Sequence, residues 1–284
     1  MMMPRKKAEP VVEEEVVETV EETPPEPEPP VDPMEKLHFL GDARDKSHEK
    51  INMLVYARSG AGKTYWASSA PAPFFMACDP RGFDSVPKKR YWKDGKLPGK
   101  IVYTLSDILE VIEWFEGGEH VAHGIKTLVV DGLNFIHDMY LTEIGEYMVE
   151  TMGAKDPDLM PISGQMKILR SYKRLLNRLI NLTSLYPEKN RVHVIFTTLE
   201  ESMKEDELAP YVLRPNLGTK TNNERFPPMF SVIAYITPVG EDENGELTQE
   251  RKVLMTEYRG IMARDRLGIF PLMGKAPDLS EYLK

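Results

Sequence analysis

Residues 51–70, INMLVYARSGAGKTYWASSA, constrain this chain more than any other stretch. Ile51 to Tyr56 is a short apolar run with β-branched and aromatic members, which predicts a buried strand. It leads into Ala57-Arg58-Ser59-Gly60-Ala61-Gly62-Lys63-Thr64 and then into a helix-compatible run closed by Pro71. A strand, a glycine-containing loop and Gly-Lys-Thr opening a helix make the P-loop arrangement, with Ala57 where the usual pattern has its first glycine. The residue types suit phosphate binding. Gly60 and Gly62 let backbone N–H groups curl around phosphate oxygens, and the new helix adds its positive dipole end. Lys63 is placed to reach β- and γ-phosphates, and the Thr64 hydroxyl to bind Mg²⁺. The stretch predicts a nucleotide-binding loop.

A chain of 284 residues can form one large domain or two modest ones. Its charge is unevenly spread. Residues 1–35 hold eleven of the 45 acidic residues and three of the 36 basic ones, so they carry about −8 of the formal −9. The remaining 36–284 is nearly neutral, and we expect it to be the folded domain. Glutamate and proline dominate residues 9–33 and bulky side chains are almost absent, so the tail is expected to be disordered. It is either a solubilising segment or an acidic competitor for a basic DNA-binding face. No apolar run approaches the eighteen or so residues of a membrane span, and glutamates follow the opening MMMPRKKAEP where a secretory signal would be apolar. The single cysteine, Cys78, excludes an internal disulfide and fits a reducing compartment, the cytoplasm by default.

Beyond the P-loop, Pro73 to Ala77 reads as a second buried strand ending at Cys78-Asp79, and Ile101 to Thr104 as a short third. Ser106 is the expected cap of a helix whose Ile108, Val111, Ile112 and Phe115 face the core. Lys126 to Asp131 is an apolar strand ending in an acid, the pattern of a Walker B element with Asp131 near Mg²⁺. Helices are expected over 134–151 and 164–186. The second carries Lys167, Arg170, Lys173, Arg174 and Arg178 on a face that is either solvated or in contact with nucleic acid or a subunit. Val192 to Phe196 predicts a strand that ends in the polar run 197–201. Residues 202–229 read as a long functional loop with Lys204, Arg214, Lys220 and Arg225, and with Tyr211 and Phe226 as stacking platforms. Val232 to Ile236 and Arg251 to Thr256 read as strands joined by a turn at 241–245. Arg264 and Arg266 are expected to be exposed in a C-terminal cap. The alternation predicts a mostly parallel α/β sheet covered on both faces, with a C-terminal antiparallel hairpin.

In their order, these parts resemble the RecA-type ATPase core. The pieces YARSGAGKTYWASSAP, FFMACDPRGFDSV, KTLVVDGL, VHVIFTTLEE, RPNLGTK and RKVLMTEYRGIMARDRLG are similar to those of phage P-loop nucleotide-binding proteins, the Sak-type, RecA-like single-strand annealing ATPases. The resemblance spans about residues 50–270. It implies an Mg²⁺-dependent ATPase that binds single-stranded DNA and promotes annealing or strand exchange in the cytoplasm of an infected bacterial host. The implied partners are further copies of the chain and a phage single-strand-binding protein. In this picture Lys63, Thr64 and Asp131 hold phosphate and Mg²⁺. Asp79 stands where such enzymes place a water-activating glutamate, one methylene shorter, with Asp84 nearby to share the task. Thr198 takes the place of the polar sensor, and Arg264 or Arg266 reaches a neighbouring subunit's nucleotide. The same group places strand 192–197 between the P-loop strand and the Walker B strand. Two alternatives stand beside it: a P-loop switch or motor acting mainly on a protein partner, and a nucleotide-binding module with little turnover.

Overall fold

The computed structural model describes residues 50–79, 81–87, 96–152, 162–204, 210–237 and 251–283. These all lie in the second of two units into which the chain divides, Asp45–Lys284. The acidic tail and the turn expected at 241–245 fall outside the described residues.

Eleven strands form one sheet. Its parallel centre contains β1 (Asn52–Ala57), β2 (Pro73–Ala77), β3 (Gly99–Ile101), β4 (Thr127–Asp131), the long β5 (His193–Met203) and β7 (Val232–Ile236). Their order is β7-β1-β5-β4-β2-β3. Strand β5 therefore lies between β1 and β4, as expected, and β2 flanks β4 on its far side. Apart from β3 and the outer part of β5, these strands are buried along almost their whole length because both sheet faces are covered. Leu54, Tyr56, Val130, Val194 and Phe196 join one core with α2 (Leu105–Glu116), α3 (Leu133–Met152) and α4 (Ile162–Asn181). Met53, Val55, Val129 and Ile195, one residue out of phase, join a second core with α1 (Lys63–Ala67) and α6 (Leu279–Tyr282). That alternation is the two-residue period of a strand with apolar residues on both faces.

The expectation of a mostly parallel sheet needs correction, because the sheet is mixed. Strands β6 (Val212–Pro215), β8 (Lys252–Leu254), β9 (Thr256–Tyr258), β10 (Ile261–Asp265) and β11 (Met273–Lys275) add antiparallel pairings. Residues 232–236 and 252–254 form the expected C-terminal antiparallel pair. Past the end of β1, β5 continues and pairs antiparallel with β6. In turn β6 pairs with β10 and β10 with β7, closing a ring of strands β1-β5-β6-β10-β7. The fully buried Tyr56 sits at this closure, its hydroxyl 2.6 Å from the Met262 carbonyl and 3.1 Å from that of Leu213.

Other local differences have physical causes. Helix α2 is capped by Thr104, not Ser106: Thr104 Oγ1 accepts from Asp107 N while the Asp107 carboxylate accepts from Thr104 N, each at 3.1 Å. Thr104 is thus unavailable to β3, which starts earlier, at Gly99. A Cβ there would lie 2.5 Å from the Phe75 carbonyl. Within 202–229, the described residues are ordered rather than one long loop. They include β6 and α5 (Lys220–Arg225), a polar helix that buries Asn222 and Asn223. Phe226 is buried against Tyr172 and offers no stacking platform, whereas Tyr211 is 64% exposed. On α4, Arg178 grips Glu116 of α2 through two hydrogen bonds of 2.7 and 3.1 Å, so part of the basic face braces the fold. No helix among the described residues is long and apolar enough to cross a membrane.

The ring closure is testable. Tyr56→Phe keeps the buried ring but removes the one hydroxyl proton that lies between the Met262 and Leu213 carbonyls, so we expect a loss of about 1–3 kcal/mol in urea unfolding. A midpoint and slope equal to wild type would show that the closure does not depend on this hydroxyl.

Candidate nucleotide-binding site

The loop after β1 takes its shape from two glycines with positive φ, Gly60 (77°) and Gly62 (93°). Ala57 needs no such freedom because it is still extended, paired with Leu199 and fully buried. That is why alanine is accepted where the usual motif has glycine. Arg58, Ser59 and Gly60 form the exposed crest, while Ala61 turns inward. Lys63 folds back over the loop and donates to the carbonyls of Ala57 (3.1 Å) and Arg58 (2.9 Å). Burial lowers its pKa, against the opposing pull of Asp131 and Glu200.

Asp131 ends β4 and is 4% exposed. Thr64 Oγ1 donates to its carboxylate, at 3.0 and 3.1 Å from the two oxygens, and Thr197 Oγ1 donates to Oδ1 at 2.6 Å. Thr197 in turn accepts from Gly132 N at 3.0 Å. Burial nevertheless raises the Asp131 pKa; the two threonines oppose the rise and the charge of Asp79 adds to it. Gly82 approaches so closely that a Cβ there would lie 2.3 Å from Asp131 Oδ2.

The remaining expected residues gather around this carboxylate. A cleft of about 340 Å³ is lined by Ser59, Gly60, Gly62, Lys63 and Thr64 from the loop, by Asp79, Arg81 and Asp84, and by Asp131, Thr197, Thr198 and Arg251. Asp79 follows β2, and its Oδ1 accepts from Arg81 N at 3.0 Å. Thr198, on the opposite face of β5 from Thr197, donates to the Asn216 carbonyl and lies 3.4 Å from Asn134 Oδ1. Glu200 is held by Arg58 (2.8 Å) and by the Tyr235 hydroxyl (2.9 Å).

Sequence reasoning missed Thr197, Gly82, Arg81 and Arg251. Thr197 was legible only as part of a polar run. Pairing Asp131 with Thr197 across β4 and β5 is what brings the two together. Arg251 lies almost 190 residues from the loop it touches and has no motif to announce it. Arg264 and Arg266 do not line the cleft. Contrary to expectation Arg264 is partly buried, donating to the carbonyls of Pro227 and Phe230, while exposed Arg266 donates to Pro228 at 3.1 Å.

The donor set fits Mg²⁺. One carboxylate and one hydroxyl lie beside a phosphate-shaped loop, and this ion is ordinarily bound by one or two carboxylates completed by phosphate and water. No cluster of three or more acidic, His or Cys side chains suited to a metal exists among the described residues.

Asp131 carries a stability cost that can be measured. Its folded pKa is raised, so the penalty is present above that pKa, where it is charged, and vanishes as pH falls and the carboxyl protonates. In nucleotide-free protein, Asp131→Asn should raise Tm by a few degrees at pH 7, and the gain should shrink toward pH 4. A gain independent of pH, or a loss at neutral pH, would contradict the buried-charge account.

No curated protein matches the chain. Residues 49–267, most of the chain, match the AAA_24 family, described as an AAA domain. The phosphate-shaped loop and the buried strand-end carboxylate agree with that match, and the chain belongs to this family of AAA-type P-loop ATPase domains.

Proposed function

We propose that this ATPase domain is a DNA-recombination protein of the RecA-like, Sak type, one that couples Mg²⁺–ATP to binding single-stranded DNA and promotes annealing or strand exchange. The observation that carries the reading is the course of β5. One continuous strand touches Asp131 through Thr197 and the 216 segment through Thr198. It holds the loop crest through Glu200 and Arg58, and then leads into the segment that bears Tyr211 and the cations. Lys204 sits 4.5 Å over the exposed ring of Tyr211. Lys220 and Arg225 are exposed on α5, which Asn223 ties back to Glu201 of β5. An exposed aromatic beside cations suits a single strand, whose bases stack and whose phosphates pair with positive charge.

In this reading Lys63 exchanges two loop carbonyls for β- and γ-phosphate oxygens, while Thr64 and Asp131 hold the metal, which would supply charge neutralisation at the phosphates. Asp79 orients the attacking water. Glu200 is less accessible to the water because Arg58 and Tyr235 already occupy its carboxylate. Catalysis then rests on positioning and on charge neutralisation. Further copies of the chain and a phage single-strand-binding protein are the proposed partners. With Arg264 committed to carbonyls, Arg266 is the better candidate to reach a neighbour's nucleotide.

Lys63→Ala should weaken ATP binding and abolish turnover, whereas Asp79→Asn should bind ATP yet lose about 10²-fold in turnover. Turnover that survives Asp79→Asn would transfer the water-orienting role to Asp84, which lines the same cleft.

The DNA-directed part is tested by anisotropy with a labelled oligothymidylate, in the presence of a non-hydrolysable ATP analogue, over a salt series. Binding that tightens with the analogue and falls steeply with salt is expected, together with ATP hydrolysis stimulated by the strand. ATP hydrolysis without either response would favour a switch or motor whose partner is a protein.

A further inference from the structure

Arg251 enters the cleft from outside the motifs that define it. It stands just before β8, where its carbonyl accepts from Ala276 N at 2.8 Å. Its side chain runs to the loop, and Nε donates to the Ala61 carbonyl at 3.1 Å. The guanidinium lies 4.4 Å from the centre of the Tyr65 ring. It presses so closely on the loop that a Cβ at Gly62 would lie 2.0 Å from Nε. Gly62 is required for its positive φ, and the space its missing Cβ leaves is the space the Arg251 side chain occupies. Among the described residues, the contacts of its side chain are with the loop and with Tyr65. Tyr65, the other half of the contact, directly follows the cleft-lining Thr64 and is 40% exposed.

The two ends of the cleft differ in chemistry. Thr64 and Asp131 mark the end suited to the metal and the terminal phosphates. Arg251 rests instead on Ala61, Gly62 and Tyr65. A loop of this kind cradles α- and β-phosphates with its backbone, and Arg251 contacts that loop at Ala61 and Gly62 rather than at Thr64, so a base leading off the α-phosphate can reach its guanidinium. We propose that Arg251 and Tyr65 form a stacking platform for the base of the bound nucleoside triphosphate. The guanidinium is planar and weakly hydrated, so it stacks on aromatic faces on both of its sides, as a lysine cannot. Tyr65 fixes one side and the base takes the other. This inference rests on the nucleotide-hydrolase reading and is independent of the DNA-directed part.

The test compares Mg²⁺–ATP with Mg²⁺–tripolyphosphate, which has the phosphates but no base, by titration calorimetry. Wild type should prefer ATP. Arg251→Ala, Arg251→Lys and Tyr65→Ala should each lower ATP affinity by about tenfold or more, with tripolyphosphate affinity unchanged, and Tyr65→Phe should keep the preference. Tyr65 is surface-exposed, so its variants keep the test open if the Arg251 variants do not fold. Equal losses for both ligands would make Arg251 a loop brace and overturn the platform, as would ATP affinity unchanged in both alanine variants. Wild-type protein that binds neither ligand would overturn the nucleotide reading and the platform with it.

Discussion

The carboxylate of Asp131 is the point on which the site depends. A buried charge is costly unless hydrogen bonds meet it, and here two threonine hydroxyls from different elements do so. Thr64 belongs to α1 and Thr197 to β5, so one carboxylate fixes the P-loop helix, the end of β4 and the middle of β5 relative to one another. The hydroxyls do not cancel the cost, since the carboxyl pKa stays raised. A cation arriving between Asp131 and Thr64 would relieve it. Fold stability is thus given up at the position where binding a metal–nucleotide complex would return it.

The same arrangement explains why one strand is so much longer than its neighbours. β1 and β4 end at Ala57 and Asp131, but β5 continues to Met203 because β6 takes over as its partner. Without that exchange the outer half of β5 would be an open edge. The ring β1-β5-β6-β10-β7 closes it and gives the residues beyond the cleft a rigid base. Thr197, Thr198 and Glu200 thus follow one another on a hydrogen-bonded strand, a continuous structural route outward from the cleft, rather than on a loop. Arg58–Glu200 is the exposed part of this route, and an ion pair with so much solvent access contributes little to stability. Its value lies in tying the loop crest to β5.

The sequence was most informative where chemistry and local geometry coincide. The P-loop, the acid at the end of β4 and the helix stripe of Ile108, Val111, Ile112 and Phe115 could all be read because each is a local pattern. Strand β6 and helix α5 could not, for two reasons. β6 is four residues long and closes on Pro215, leaving too few residues for a period to show. α5 buries asparagines, whose amides bond Glu201 and the backbone of Leu217, so it lacks an apolar stripe altogether. Phe226 shows the opposite failure. An aromatic in a polar stretch reads as exposed, yet tertiary packing against Tyr172 buries it. Arg251 and Thr197 belong to the site only through long-range pairing, which no window of sequence contains.

The C-terminal segment completes the nucleotide site in a way the motifs conceal. Helix α1 has five residues and no side-chain cap, far too short to persist alone. Its stability comes from the chain's other end. Trp66 Nε1 donates to the Pro277 carbonyl at 2.7 Å, Leu279 N donates to Ser69 Oγ at 2.9 Å, and Ser280 N donates to the Ser69 carbonyl at 3.0 Å. Trp66, Ala67 and Leu279 share one core. The family match ends at residue 267, so this latch lies beyond the part of the chain that the family describes. Arg251 is held by the same layer through Ala276 N. The helix that presents Lys63 and Thr64 is therefore held in place by residues 277–280. The loop's geometry is a property of the closed chain rather than of the Gly-Lys-Thr motif alone.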